Sequence, residues 1–450
     1  MKLPEAFSLQ MQQILGEEYP AFVESLAEPT PVTIRLNNRK TPSEPLATQE
    51  RVLWHSDAYY LAERPVFTLD PAFHAGAYYV QEASSMFVAE AIRQAIDTSK
   101  ALKVMDLCAA PGGKTTLLAS LLNNKSLLVA NEVIKSRVGV LKENLEKWGF
   151  PNYIVSNHDS EEMIDLEGFF DIVLTDAPCS GEGLFRKDPK AMNEWSENNV
   201  QICCARQKRI LQAAAMLVAP GGILCYSTCT YNEKENELNA QWLTQVADFE
   251  PVELEIPAEW GITARKYGYQ FYPHKTKGEG FYLAVFRKTR GDKQEAKGKI
   301  KLNRVPQKKI EVLKEWLQTP DTFEYFEKPD GQIVAIPADL TNEYAVLFRA
   351  LHKRSSGLEI GQFKGNDFIP SHDLALSTAI AQNLPAIELS KDDALKFLKR
   401  ENLTTDLSEQ PKGWLLARYQ GLNLGFMKVI GGRINNYLPK EWRIRMDIPE

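Results

Sequence analysis

Four apolar runs in the first half of the chain each end at or near an acid, and helical sequence lies between them. ALKVMDL reaches Asp106 and leads through a Gly-rich turn into a helix expected over Lys114–Leu122. SLLVANE ends at Glu132 before a helix around Ser136–Trp148, NYIVSNHD ends near Asp159, and FFDIVLTDAP reaches Asp176. A long helical stretch over 198–217 precedes a fifth run, GGILCYSTC, and EGFYLAVFRK closes the set. Strands alternating with helices predict an α/β fold with a parallel, doubly wound sheet. In such sheets ligands sit outside the carboxyl ends of the strands, so the residues just after each strand carry the information.

After the first run comes DLCAAPGGKT, which matches neither a dinucleotide fingerprint nor a phosphate-binding P-loop. Gly112 and Gly113 let the backbone turn tightly and approach a ligand. Glu132 is placed to accept hydrogen bonds from a ribose diol, and Asp159 to reach an adenine amino group. Each alone is weak: Glu132 could be a plain strand-end acid and Lys114 the first exposed residue of a helix. Together on one sheet edge they fit S-adenosylmethionine (SAM) better than a nucleoside triphosphate, which needs more basic groups around it.

Two cysteines follow the fourth and fifth strands, Cys179 in TDAPCSGEG and Cys229 in CYSTCTYNEKENE. Carbon 5 of cytosine becomes nucleophilic once a thiolate adds to carbon 6 and an acid or donor serves ring nitrogen 3. Such chemistry needs an attacking cysteine, an acidic residue at the base and a group that assists release. Asp176, Cys179 and Cys229 supply three such groups. The alternatives are a rigid turn with a buried thiol at Cys179, where Pro178 restricts the backbone, and an ordinary strand-end residue at Cys229. Spacing does not settle which cysteine attacks. Pro178-Cys179 looks like the Pro-Cys of DNA cytosine methyltransferases, whereas the nearby Asp176 anion disfavours a thiolate at Cys179.

The 450 residues, 44% hydrophobic and 25% charged, allow two to four domains. No run of about eighteen apolar residues occurs, and the acid-containing start is not a secretory signal, so a cytoplasmic protein without membrane spans is expected. The six cysteines lack paired spacing and a neighbouring histidine cluster, which speaks against a metal site. Cys203, Cys204 and Cys225 read as small buried hydrophobes. Although the net charge is −6, residues 287–309 hold ten Lys or Arg against Asp292 and Glu295. Such a run is either a solvated linker or a phosphate-contacting segment. Arg186 and Lys187 are further candidates for backbone phosphates. Tyr269, Phe271, Tyr272 and His274 are candidates for stacking an extruded base, against the alternative of core packing.

DLCAAPGGKT, TDAPCSGEG and YSTCTYNEKENE, with HAGAYYVQEASSM ahead of them, together resemble the NOL/NOP/Sun family of RNA cytosine-5 methyltransferases. The longer run DAPCSGEGLFRKDPKAMNEWS is similar to the bacterial branch that methylates a cytosine in 16S (small-subunit) ribosomal RNA. IPSHDLAL and GFMKVIGGRINNYLP resemble that branch's C-terminal PUA-like RNA-binding region. The resemblance implies a class I SAM-dependent methyltransferase with a Rossmann-like, mostly parallel seven-stranded sheet and an N-terminal α/β extension. It implies Cys229 as nucleophile, Cys179 assisting release, and Asp176 facing the cytosine. It also implies cofactor contacts from Cys108, Ala109, Ala110, Pro111, Gly112, Gly113, Lys114, Glu132, Asp159 and Asp176. The expected organisation is an extension over 1–90, the methyltransferase domain over 91–288, a basic linker over 289–309, a small connecting domain over 310–375 and a PUA-like domain over 376–450. The expected partner is ribosomal RNA or the small ribosomal subunit, bound by a monomer. A transfer RNA substrate, or a non-catalytic ribosome assembly factor, are the alternatives.

Overall fold

The computed structural model describes residues 3–448 except 356, 406–409 and 432. Strands β1 (Thr33–Leu36), β2 (Ala58–Tyr60) and β3 (Tyr78–Val80) form a small antiparallel sheet in the order β2-β1-β3. The large sheet contains β4 (Lys103–Asp106), β5 (Leu127–Asn131), β6 (Tyr153–Ser156), β7 (Phe170–Asp176), β8 (Val218–Thr228), β9 (Phe249–Pro251), β10 (Thr263–Ala264), β11 (Tyr269–Phe271) and β12 (Phe281–Lys288). Its order is β10-β11-β12-β8-β7-β4-β5-β6, with β9 on β12. Strands β6, β5, β4, β7 and β8 run parallel, and β12 is antiparallel to β8. This is the expected Rossmann-like arrangement, with two short strands, β9 and β10, added to the seven anticipated.

The runs form strands because both faces of the sheet are covered, as parallel sheets require. All residues of β5 and β6 are buried. Val104, Leu128 and Ile172 join one apolar cluster with helices Phe87–Ala95, Gly113–Leu121 and Lys135–Trp148. Met105, Val129 and Val173 join a second with helices Glu197–Leu217 and Glu237–Val246. The second cluster also takes in Tyr344, Val346 and Leu347 from the distant helix Thr341–Ala350, so that helix completes the layer.

Beyond the large sheet, β13 (Asn303–Arg304), β14 (Phe323–Glu327), β15 (Gln332–Pro337), β16 (Leu358–Lys364) and β17 (Asp367–Pro370) form an antiparallel meander. Between β15 and β16 the chain runs along the outer edge of β6. Asn157 N donates to Lys353 O at 2.9 Å, and Ser355 N to Val155 O at 2.8 Å. An edge strand's unpaired backbone groups are thereby capped. Last come β18 (Ala386–Glu388), β19 (Gly413–Tyr419), β20 (Leu422–Ile430) and β21 (Arg433–Asn436), one sheet in that order. Its core is shared with Ile34, Ala72, Ala75 and Tyr78 of the N-terminal extension.

Candidate active site

Strand order reverses between β4 and β7, which places Asp106 and Asp176 at the crevice where such sheets bind ligands. Leaving β4, the chain turns through Gly112 at φ +117°, a conformation only glycine adopts freely. Helix Gly113–Leu121 then starts hard against Tyr79, whose ring would lie 3.3 Å from a Cβ at Gly113. The Thr115 hydroxyl donates to Asp106 Oδ2 at 2.7 Å from within this helix. Asp106 is wholly buried, which pushes its carboxyl up to about 7. Among the described residues its Oδ1 has no hydrogen-bond partner.

A cavity of about 520 Å³ opens above this edge, lined by Cys108, Ala110, Glu132, Asp159, Asp176, Cys179 and Cys229 among others. Glu132 Oε1 accepts the Ile134 N–H at 2.8 Å, and Oε2 lies 3.4 Å from Arg137. Asp159 sits past the end of β6 and caps the turn Ser160–Leu166, with both carboxylate oxygens 3.1 Å from Arg209 Nη1. A smaller cavity of about 190 Å³ on the other side of the loop is lined by Tyr79, Gln81, Glu82, Ala109, Pro111, Gly113, Lys114 and Asp176. The two cavities between them touch every residue expected to hold the cofactor except Gly112, which shapes the turn from behind.

Lys114 is no exposed helix residue. Its Nζ stands 2.8 Å from Asp176 Oδ2, while the Ser227 hydroxyl donates to Asp176 Oδ1 at 2.8 Å. Burial works against the lysine's charge, but Asp176 outweighs it and holds the ammonium above its ordinary range. Beside this pair Cys179 Sγ and Cys229 Sγ are 3.0 Å apart as free thiols, and Cys229 N donates to Cys179 Sγ at 3.3 Å. The hydrogen bond with Cys229, then burial, then the charges of Cys229 and Glu235 hold the Cys179 thiol well above the ordinary thiol range. The thiol is thus disfavoured as a thiolate, as expected, but by Cys229, burial and Glu235 rather than by Asp176.

Arg186 and Cys204 depart from expectation, and the aromatic candidates take their core-packing alternative. Arg186 is buried and paired with Glu279 at 3.0 Å, so it does not stand free for a phosphate. Phe271 and Tyr272 are core residues, Tyr269 is buried with them, and His274 packs on Phe22 and Tyr272. Cys204 is half-buried rather than buried, its thiol donating to Lys234 O. The first part of the basic stretch, 287–294, lies against the opposite end of the sheet, while Lys297, Lys299 and Lys301 are exposed. Lys288 Nζ donates to Ala215 O and Val218 O, Lys293 pairs with Asp171 at 3.2 Å, and Gln294 N donates to Gly168 O. Two buried acids that sequence reasoning passes over, Glu182 and Glu235, sit between the cysteine loops. Their only signal was position, three residues after Cys179 and six after Cys229. Among the described residues no group of three or more His, Cys, Asp or Glu converges as metal ligands do, and no helix is long and apolar enough to cross a membrane.

Residues 94–287 match the family model for 16S rRNA methyltransferase RsmB/F, residues 3–83 that for the N-terminal domain of RsmF, and residues 384–444 that for the RsmF PUA domain. The ribosomal RNA small subunit methyltransferase F of Shewanella loihica is 30% identical, over 93% of this chain and 90% of its own. That of Erwinia tasmaniensis is 31% identical, over 97% and 96%. The chain belongs to the RsmF branch of the NOL/NOP/Sun family. Among solved structures, a methyltransferase homologue from Pyrococcus horikoshii superposes with TM-score 0.55 at 30% identity, covering 63% of this chain and 95% of that one. NSun6 from Pyrococcus horikoshii with SFG shares the fold, with TM-score 0.55 at 22% identity over 64% and 99%. The RsmF branch thus joins this sheet to a PUA domain, and in this chain the last four strands occupy the matched PUA stretch.

Proposed function

We propose that the chain is a SAM-dependent RNA cytosine-5 methyltransferase acting in the cytoplasm, as a monomer, on small-subunit ribosomal RNA. The observation that carries this reading is the 3.0 Å approach of two free thiols at the cavity that Asp176 also lines, with Lys114 paired to Asp176 from the smaller cavity. The cavity suits the cofactor. Glu132 stands after β5 where a ribose diol would be met, and Gly113 lines the smaller cavity on the other side of the loop. Asp159 stands after β6 on the adenine side and is held by Arg209. When bound there, SAM supplies an electrophilic methyl group and leaves as S-adenosylhomocysteine.

The chain's own residues prepare the cytosine. The Cys229 thiolate adds to carbon 6, and Asp176 with Lys114 meets the polar edge at ring nitrogen 3 as electron density moves to carbon 5. After methyl transfer a base takes the carbon 5 proton, the carbon 5–carbon 6 double bond re-forms, and the Cys229 thiolate is expelled. Cys179 assists by donating its S–H to the departing sulfur. The environment of Cys179 supports this assignment: beside Cys229 and buried, its thiol is held above the ordinary range, which suits it to donate rather than attack. The homologues' names and the PUA match support the choice of ribosomal RNA.

A denaturing gel of Cys179→Ala and Cys229→Ala, each incubated with SAM and small-subunit ribosomal RNA, tests the roles. The expected result is a covalent protein–RNA band for Cys179→Ala and none for Cys229→Ala. The reverse pattern swaps the two roles. No band from either variant, with wild type methylating the RNA, overturns the covalent route.

A further inference from the structure

Two buried carboxylates tie the cysteine loops to one another in a crossed pattern. Glu182 lies on the loop that follows β7 and carries Cys179. Its Oε2 accepts the Thr230 hydroxyl at 2.6 Å, Tyr231 N at 2.9 Å and Asn232 N at 3.0 Å, the three residues directly after Cys229. Its Oε1 accepts from Asn232 Nδ2, Trp195 Nε1 and, from the N-terminal helix, Gln10 Nε2. The neighbouring Gly183 N donates to Cys229 O at 2.9 Å. Glu235 lies on the other loop, after β8 and Cys229. It accepts Ser180 N at 2.9 Å and the Ser180 hydroxyl, directly after Cys179, and Gln207 Nε2, which also donates to Pro178 O on the other side of that cysteine.

A buried carboxylate is costly unless its lone pairs are filled, and here the opposite loop supplies donors to each, joined by Trp195 and Gln10 at Glu182 and by Gln207 and Asn232 Nδ2 at Glu235. Neither acid lines the two cavities at the reactive edge. The structural core does not need them there, since the same enclosure could be built from apolar side chains without a charge to satisfy. We propose that Glu182 and Glu235 are positioning residues with divided tasks: Glu182 aims Cys229 for attack, and Glu235 holds Cys179 for release. The N-terminal extension takes part in the first task through Gln10.

This inference rests on the covalent route above, and the experiment separates the two. Glu182→Gln and Glu235→Gln are run with SAM and small-subunit ribosomal RNA on the same gel as Cys179→Ala, alone and combined with it. Glutamine keeps the shape but turns one acceptor into a donor against N–H groups. A misplacement of about 1 Å costs roughly 10²-fold in a positioned step. Glu235→Gln is expected to accumulate the covalent band as Cys179→Ala does, and the double variant Cys179→Ala/Glu235→Gln to show no further increase. Glu182→Gln is expected to slow methylation by about 10-fold or more, and to weaken the band by about the same factor in the Cys179→Ala background. SAM affinity by calorimetry should stay within about 3-fold of wild type in both, since neither acid lines the cofactor cavity. Thr230→Val removes one bond of the same brace and should weaken the band in the same direction if Glu182→Gln does not fold. Equal loss of product by both glutamate variants, with no change in the ratio of adduct to product, overturns the brace. Absence of a band from Cys179→Ala itself overturns the covalent reading instead.

Discussion

Asp106 ends the strand on which the site is built, and among the described residues it makes no ion pair. Burial raises its carboxyl from the ordinary 3.8 to about 7, against the opposing hydrogen bond from Thr115. The folded chain therefore keeps a proton that the unfolded chain releases between roughly pH 4 and pH 7. Stability then rises as pH falls through that window, since the folded state binds more protons there. The thermal midpoint of the cofactor-free protein should be higher at pH 6 than at pH 8. That difference should shrink in Asp106→Asn, which fixes the neutral form. An unchanged pH dependence in the variant places the titrating group elsewhere. The same carboxyl shows how burial alters what a residue does. In the sequence Asp106, Asp176, Glu182 and Glu235 are four acids near apolar runs; in the fold one is wholly buried without a cation, one is paired with Lys114, and two brace loops.

Helix Lys135–Trp148 and the turn Glu182–Leu184 show how element geometry decides the effect of one methyl group. Gly139 lies in the middle of the exposed face of that helix, with nothing within 4 Å of an added Cβ. Gly139→Ala should raise stability by about 0.5–1 kcal/mol, because alanine loses less backbone entropy. At Gly183 an added Cβ would fall 2.5 Å from the Gly280 carbonyl oxygen at the start of β12. Gly183→Ala should cost roughly 1–3 kcal/mol and displace the loop that carries Cys179. Denaturant midpoints of the two variants moving in the same direction would contradict this account. The parallel strands of the large sheet were legible because each is an apolar run bounded by turn residues, four of them ending at or near an acid, whereas the short strands β9, β10 and β11 carry no such run. The motif residues were legible for the same reason, since they follow strand ends. Glu182, Glu235 and the burial of Arg186 were not, because a buried, satisfied charge and a solvated one read alike in sequence. The chain along β6 was hidden too: residues 352–355, HKRS, are polar and carry no strand pattern, and they pair through backbone and one serine hydroxyl.

The molecule is held together across long sequence distances. The first and last sheets share a core, and the meander is fixed to helix Lys135–Trp148 by Lys142, which lies 3.3 Å from Glu146 and 3.7 Å from Glu359. Burial holds the Glu146 carboxyl and the adjacent Asp373 carboxyl above their ordinary range. Lys142→Met removes the cation these acids surround. With 35% of the lysine side chain exposed, the expected cost is about 1–3 kcal/mol, well below that of a fully buried pair. Combining it with Glu359→Gln should cost less than the two separately, read from urea midpoints; strict additivity would mean the groups do not act together. The cover on β6 has a further consequence, in the time domain of synthesis. Val155 and the Ser355 hydroxyl that receives its N–H are 200 residues apart. At about 5–20 residues per second a ribosome needs roughly 10–40 s to make that interval. Throughout it the outer rim of the nascent sheet has no partner of its own, so the newborn chain is open to strand pairing with its neighbours on a polysome until its own segment emerges.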